Sequence, residues 1–298
     1  MSLLYSGQFW ALAAGLLWAV AVILFKRSGE SIPPPVLNLF KGCVALLLVF
    51  LPIHLFQGVG GDGWTAGDWG LVVLSGLLGI TLADTLFFMA LNRLGAGMNA
   101  IVDCVYAPAM VTMAMLYLGE MPTAAELGGG ALILVAILVG SATKPAPGRT
   151  RKDLTVGIVL GLLGMVVMSA SVVMIKYLFV PEHAVAVTTW RLATGTAFLF
   201  ATVLCRRKWR ESFLSLARPS AAWKIAIPGS LLGAGFAMLA WIAGFTYCET
   251  ITPAAMLNQF STIYIFVLAT VVLKEPMTRR RVAAFGLAIA GAMIVILG

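Results

Sequence analysis

Lys41, Asp84, Asp103 and Arg191 each interrupt an apolar run long enough to cross a bilayer. A charge at the centre of a membrane helix costs about 2.5–3.5 kcal/mol on insertion scales, so such residues face a bundle interior, pair with each other or border water. Opposite charges in one hydrated space suit a zwitterion, with a base near its carboxylate and an acid near its ammonium. The carboxylates are also candidates to carry a coupling proton.

Spacing predicts which of them lie together. Lys41 is the seventh residue of its apolar run, Asp103 the eighth of its own, and Asp84 the eighth from the far end of a third. At 1.5 Å per residue, each lies roughly 10 Å from one membrane face. Arg191 lies at a similar depth from the other face. Asn99, Asp103, Tyr106 and Met110 recur at helical spacing and share a face,. Ala255, Asn258 and Thr262 form a second polar face, with Gln259 slightly rotated from it. Trp18, Trp190 and Trp241 are candidates to wall an apolar or aromatic side group. The predicted substrate-binding or coupling set is therefore Lys41, Asp84, Asp103, Arg191, Asn99, Tyr106, Asn258, Gln259, Trp18 and Trp190.

Each has a purely structural alternative. Lys41 and Arg191 can snorkel or cap carbonyls, and Asp103 can simply pair with Lys41. Asn258 and Gln259 can bond across helices, worth about 1–2 kcal/mol or less. Glu120 and Glu275 end their helices and are expected to fix the following turn. Lys26 and Lys176 are expected to anchor helix ends.

The elements that must position these residues are membrane helices. The chain has 298 residues, 61% hydrophobic and only 11% charged, with a mean hydropathy of +1.00. Soluble domains carry about 25% charged residues. A bilayer core needs about 20 apolar residues as helix. Ten such runs are legible, over residues 8–25, 35–56, 69–91, 96–118, 124–142, 155–176, 184–205, 222–247, 250–273 and 280–297. No cleavable leader is expected at MSLLYSGQFW, so the first run reads as a helix. The fold class is an all-α polytopic membrane protein.

The chain repeats itself. At an offset of 150 residues, Gly7 meets Gly157, Lys26 meets Lys176 and Lys41 meets Arg191. At 154, Trp69 meets Trp223 and Leu77-Leu78-Gly79 meets Leu231-Leu232-Gly233. At 155, Glu120 meets Glu275 and Thr123 meets Thr278. The expected division is a first five-helix repeat at 1–143, a linker at 144–153 and a second repeat at 154–298. Five is odd, so the second repeat enters the membrane from the opposite side, giving two inverted repeats as in many secondary transporters. The acids break the symmetry: Asp84 meets Met238, and Asp103 meets Asn258.

Several chemistries have no sequence support. No GxxxxGK[ST] loop cradles ATP, and no GxGD, GxSxG or HExxH motif marks a protease. The four cysteines form no CxxC pair,. No cofactor or metal is expected. The net charge of +8 sits in short loops between apolar runs, which points to membrane orientation and not to nucleic acid. The expected partners are a small-molecule substrate and the lipid bilayer, in a protein that a monomer would satisfy.

These residues resemble the ten-helix, EamA-like branch of the drug/metabolite transporter superfamily. Trp18 precedes Lys26 by eight residues, similar to the family's Trp-to-Lys spacing. Pro33-Pro34 and then Lys41 open the second helix, where the family usually has arginine; Arg191 keeps that arginine in the second repeat. Gly119-Glu120 and Lys274-Glu275 are similar to the family's Gly-Glu signature. The resemblance implies proton- or exchange-coupled movement of small metabolites across the cell (inner) membrane, most often outward. A zwitterion such as an amino acid is the first expectation for substrate. Alternatives are efflux of cationic drugs or a non-transporting membrane assembly subunit; an intramembrane aspartyl protease using Asp84 and Asp103 is a remote third.

Orientation departs from the family. The loops after the odd-numbered helices hold all but three of the 20 lysines and arginines, the exceptions being Lys176, Lys41 and Arg191. The positive-inside rule then puts both termini outside, whereas the family typically has both inside.

Overall fold

The computed structural model describes residues 7–58, 60–119, 121–142, 149–180, 183–216, 218, 220–247 and 251–297, with side chains except at 56–57, 118, 245–247 and 251–259. Among the described residues every regular element is a helix. We label the helices α1 (Gly7–Ser28), α2 (Pro34–Ala45, a π-helical stretch Leu46–Phe50, then Leu51–Gln57) and α3 (Ala66–Ser75, a π-helical stretch Gly76–Ala83, then Asp84–Leu94). Next come α4 (Ala96–Asp103 and Tyr106–Leu118), α5 (Ala124–Ser141), α6 (Arg151–Val173), α7 (Ala184–Cys205) and α8 (Arg207–Leu216). The chain ends with α9 (Trp223–Ser230, a π-helical stretch Leu231–Phe236, then Ala237–Tyr247), α10 (Ile251–Val271) and α11 (Arg279–Leu297). Among the described residues, nine of these are long and apolar enough to cross a membrane, and α10 supplies a shorter apolar stretch, Phe260–Val271.

The ten membrane helices form two inverted five-helix repeats, and their packing follows the repeat. α1 lies along α9 and α10 of the other half, while α6 lies in the corresponding way along α3 and α4. α2 meets α7, and α5 meets α11. Each pair joins the halves, so no half folds around a core of its own. Glycines set the closeness. A Cβ on Gly161 would lie 2.7 Å from Val102, and one on Gly129 2.6 Å from the Gly291 carbonyl. Small residues of this kind let membrane helices approach where no hydrophobic effect drives them together.

Helix ends differ from the sequence expectation for local reasons. α3 starts at Ala66 because Thr65 and Asp68 form a capping box, and α6 starts at Arg151 because Thr150 and Asp153 form another,. α6 ends at Val173, since Lys176–Leu178 winds into a 3₁₀ turn. The span expected at 96–118 is broken. Pro108 has no N–H to offer the Cys104 carbonyl, and Val105 bonds back to Val102, closing a tight turn between Asp103 and Tyr106.

The segment 207–216, expected to be loop, is an amphipathic helix. Trp209, Phe213 and Leu216 recur at helical spacing and pack on the main core,. Arg206 lies over the Trp209 ring, and the Trp223 indole N–H donates to the Leu216 carbonyl at 2.7 Å. α8 therefore folds across the ends of α2 and α7.

We call the side bearing the loops after α1, α3, α5, α7 and α10 the basic face. On this side α1 braces its neighbours: Lys26 donates to Asn92 O at 3.4 Å and Arg27 to Val272 O at 3.2 Å.

Candidate functional site

The π-helical stretch in α3 is the local feature from which the site is built. A π segment disturbs the regular i→i−4 ladder. Here Asn38 of α2 donates to the Ile80 carbonyl at 2.7 Å and to Thr85 Oγ1 at 3.0 Å. Asn38 and Lys41 are three residues apart and share a face of α2. The side chain that bonds Ile80 thus aims Lys41 at Asp84, four residues further along α3. Lys41 and Asp84 form a hydrogen-bonded ion pair, and both are buried. Phe88 covers the ammonium, 5.3 Å from its ring centroid,.

Asp103 is placed otherwise. It is the last residue of the first segment of α4, just before the break. Both carboxylate oxygens accept from the Asn99 amide at 3.1 Å, one turn earlier on the same face. Asn99 is buried behind it at 1% exposure, with its amide holding the carboxylate. Tyr106, the first residue after the break, faces the same space.

Arg191 enters from the second half. Its Nη2 donates to Ser171 Oγ at 3.3 Å, and its guanidinium carbon lies 5.8 Å from the Phe179 ring centroid. Its Nε makes no hydrogen bond among the described residues. Gly79 of α3 leaves the room this requires, because a Cβ there would stand 3.0 Å from Arg191 Nη2. Thr81 ties α3 to α7 by donating to the Gly195 carbonyl at 2.7 Å.

These groups border one cavity of about 280 Å³ between the halves, near the lower end of the usual range for small-molecule sites of about 300–1,000 Å³,. Lys41, Asp84, Asp103, Tyr106, Arg191 and Trp18 line it. Apolar and sulfur-bearing walls come from Phe87, Met165, Met168, Met238 and Trp241, and hydroxyls from Ser261 and Thr262. The cavity is not centred. Its wall reaches Val172, one residue from the end of α6, on the side away from the basic face. Toward the basic face it stops at Ile265 and Phe87, six and seven residues short of the ends of α10 and α3. That leaves a plug roughly 10 Å thick, in which Phe25, Leu91, Leu94, Met98 and Ile101 are fully buried.

Several sequence expectations change. Asp103 does not pair with Lys41, because Asp84 holds that ammonium. Asp84 and Asp103 bond Lys41 and Asn99 respectively and not each other, so they form no proton-sharing dyad. Trp190 does not line the cavity: it turns outward from Arg191 and packs edge-on against Trp69, with ring centroids 5.1 Å apart. The side chains of Asn258 and Gln259 lie outside the described residues, as does Glu120. The Glu275 side chain does more than fix its own turn: it reaches across to the start of α4. Met165, Met168 and Val172 were missed in the sequence. They are apolar residues in an apolar helix, and only the packing of α6 on α3 and α4 exposes them to the cavity.

The sequence profile of the EamA-like transporter family matches the chain twice, over residues 5–141 and 155–297. A solved structure titled "Crystal structure of protein" is similar over 98% of this chain and 96% of its own, with a TM-score of 0.66 and 17% identity. At that identity the likeness concerns the fold alone. No curated protein matches the chain.

Proposed function

The chain belongs to the EamA-like transporter family, within the drug/metabolite transporter superfamily, and from that premise we propose that it carries a small zwitterion, an amino acid or a close analogue, through the cavity between its halves. The observation that carries this reading is the division of labour among four buried charges. Lys41 and Asp84 satisfy each other. Asp103 and Arg191, one from each half, keep only neutral hydrogen-bonding partners among the described residues. They are the acid and the base available to an ammonium and a carboxylate. Trp18, Phe87, Met165 and Met168 offer an apolar surface to a side group.

Movement would follow from rocking of the two five-helix halves about this site, exposing it to each side in turn. Asp103 is also the group best placed to carry a coupling proton, since its loading would leave the four-charge set one positive. Exchange of one substrate for another is the alternative form of coupling, and export is the direction we favour from the family. The distribution of lysine and arginine supports a cytoplasmic basic face with both termini outside. The cavity then approaches the external surface.

The small volume, and two cations among the four charges, argue against efflux of large cationic drugs. The test is counterflow in proteoliposomes with labelled amino acids, matched amines and matched carboxylic acids. Saturable exchange is expected for the zwitterions and lost in Asp103→Asn with the protein still folded. Full transport by that variant would refute the role of Asp103. No saturable flux for any class would favour a non-transporting subunit.

A further inference from the structure

We infer that Glu275 is the latch on the basic face: its carboxylate closes the plug by holding the N-terminus of α4, and must leave that position whenever the cavity opens to this side. The inference rests on the alternating-access reading above.

Glu275 lies just beyond α10, in the second half, and its side chain ends in the first half. Its Oε1 accepts from the Ala96 N–H at 2.7 Å and its Oε2 from the Gly97 N–H at 3.1 Å. These are first-turn donors with no partner inside their own helix, and a carboxylate there is favoured by the helix dipole. The backbone is shaped for the contact on both sides. Lys274 takes a left-handed conformation, φ 53°, and the Glu275 N–H closes the end of α10 by donating to Ala269 O at 3.1 Å,. That turn sends the side chain back toward α4. Gly95, φ 81°, clears its path: a Cβ there would stand 2.7 Å from Oε1.

Arg281 supplies the counter-charge. It is buried at 4% exposure, with Nη1 3.9 Å from Glu275 Oε2 and bonded at 3.3 Å to the Pro276 carbonyl. The carboxylate itself is not sealed in; its side chain keeps 14% of its exposure. Water can therefore replace the two N–H bonds when they break, as a reversible latch requires.

Position gives the contact its consequence. Ala96 is seven residues from Asp103 on the same rigid segment, and Met98 and Ile101 of that segment are buried in the plug. Whatever frees the start of α4 frees the plug and shifts Asp103. Phe266 and Ala269 of α10 also pack near Gly97, but among the described residues the other side-chain hydrogen bonds on this face run elsewhere: Lys26, whose ammonium also feels the Glu275 charge, donates to α3, and Arg27 donates to the end of α10.

The experiment uses full-length protein in proteoliposomes with Cys43, Cys104, Cys205 and Cys248 replaced by alanine. One cysteine is then placed in the plug, Met98→Cys, or on the cavity wall, Ser261→Cys. A membrane-impermeant maleimide is applied to the basic face for the first and to the opposite face for the second. Glu275→Ala is expected to raise Met98→Cys labelling roughly tenfold and to lower Ser261→Cys labelling by a smaller factor, the opposed changes of a shifted two-state equilibrium whose major state is closed on the basic face. Arg281→Gln keeps both N–H bonds and is expected to shift both rates the same way by less, providing the test if Glu275→Ala does not fold. Unchanged labelling, or a rise at both positions together, would overturn the latch, because a merely structural role loosens both sides. Reciprocal labelling without zwitterion flux in the parent would leave the latch standing and sink the substrate reading. Flux without reciprocal labelling would sink the latch alone.

Discussion

The two halves bury a cation at the same place in the repeat and treat it differently. In the first half, Lys41 meets Asp84 one helix away, and Asn38 and Phe88 complete the setting. In the second half Arg191 occupies the position of Lys41, but the residue matching Asp84 is Met238. Arg191 therefore turns to a serine hydroxyl and a ring, and keeps one nitrogen without a hydrogen bond among the described residues. α4 and α10 differ in the opposite sense. α4 is broken beside Asp103 by Pro108, whereas α10 is one continuous helix over Ile251–Val271. A symmetric scaffold becomes a polar site through these asymmetries. One half pairs its own cation and contributes an acid with no ion pair among the described residues, while the other contributes a base that likewise forms none, although it feels the Asp84 charge.

The sharpest way to break the comparison is Arg191→Met. Removing one member of a buried charge contact costs about 2–5 kcal/mol of binding, which is from roughly thirty-fold to several-thousand-fold in affinity. Counterflow at rising zwitterion concentration should show this loss. Lys41→Met should act on the fold instead. It leaves Asp84 buried without its partner, at a cost of about 3–5 kcal/mol, and the neutral double variant Lys41→Met/Asp84→Leu should recover most of it. Thermal unfolding in detergent compares the three proteins; a double variant no more stable than the single would remove the ion pair from the account.

A subtler change makes the second half resemble the first. Met238→Asp should give Arg191 an internal partner and weaken substrate about tenfold in the same counterflow assay; unaltered affinity would mean that Arg191 does not meet substrate. The smallest effect on transport is expected of Asn38→Ala. It strips the Ile80 carbonyl of its donor, for about 1–3 kcal/mol of stability, with transport retained at moderate temperature. Equal stability would show that water serves that carbonyl as well.

Much of this was readable from the sequence because membrane burial is demanding. A lysine or arginine inside an apolar run declares an interior position, and the repeat offset links Lys41 to Arg191 without any coordinates. Pairing was not readable. Asp84 and Asp103 lie at one depth, and only the approach of α2 to α3, guided by Asn38 and the π segment, decides that Asp84 takes Lys41. The π segments leave no periodic signal, although Gly76 and Leu231 begin them 155 residues apart. The break in α4 and the helix α8 were not read from the sequence, although Pro108 and the spacing of Trp209, Phe213 and Leu216 carry their signals. Trp190 misled because neighbours on a helix point about 100° apart: if Arg191 faces inward, Trp190 does not.

The central claim is that Asp103 and Arg191 are left for the ligand while Lys41 and Asp84 attend to each other. Zwitterion counterflow by three variants side by side tests it most directly. At the zwitterion concentrations that saturate the parent, saturable flux is predicted for the neutral double Lys41→Met/Asp84→Leu, and none for Asp103→Asn or Arg191→Met, all three being folded. Transport by either single variant with loss in the double would reverse the assignment and contradict the account.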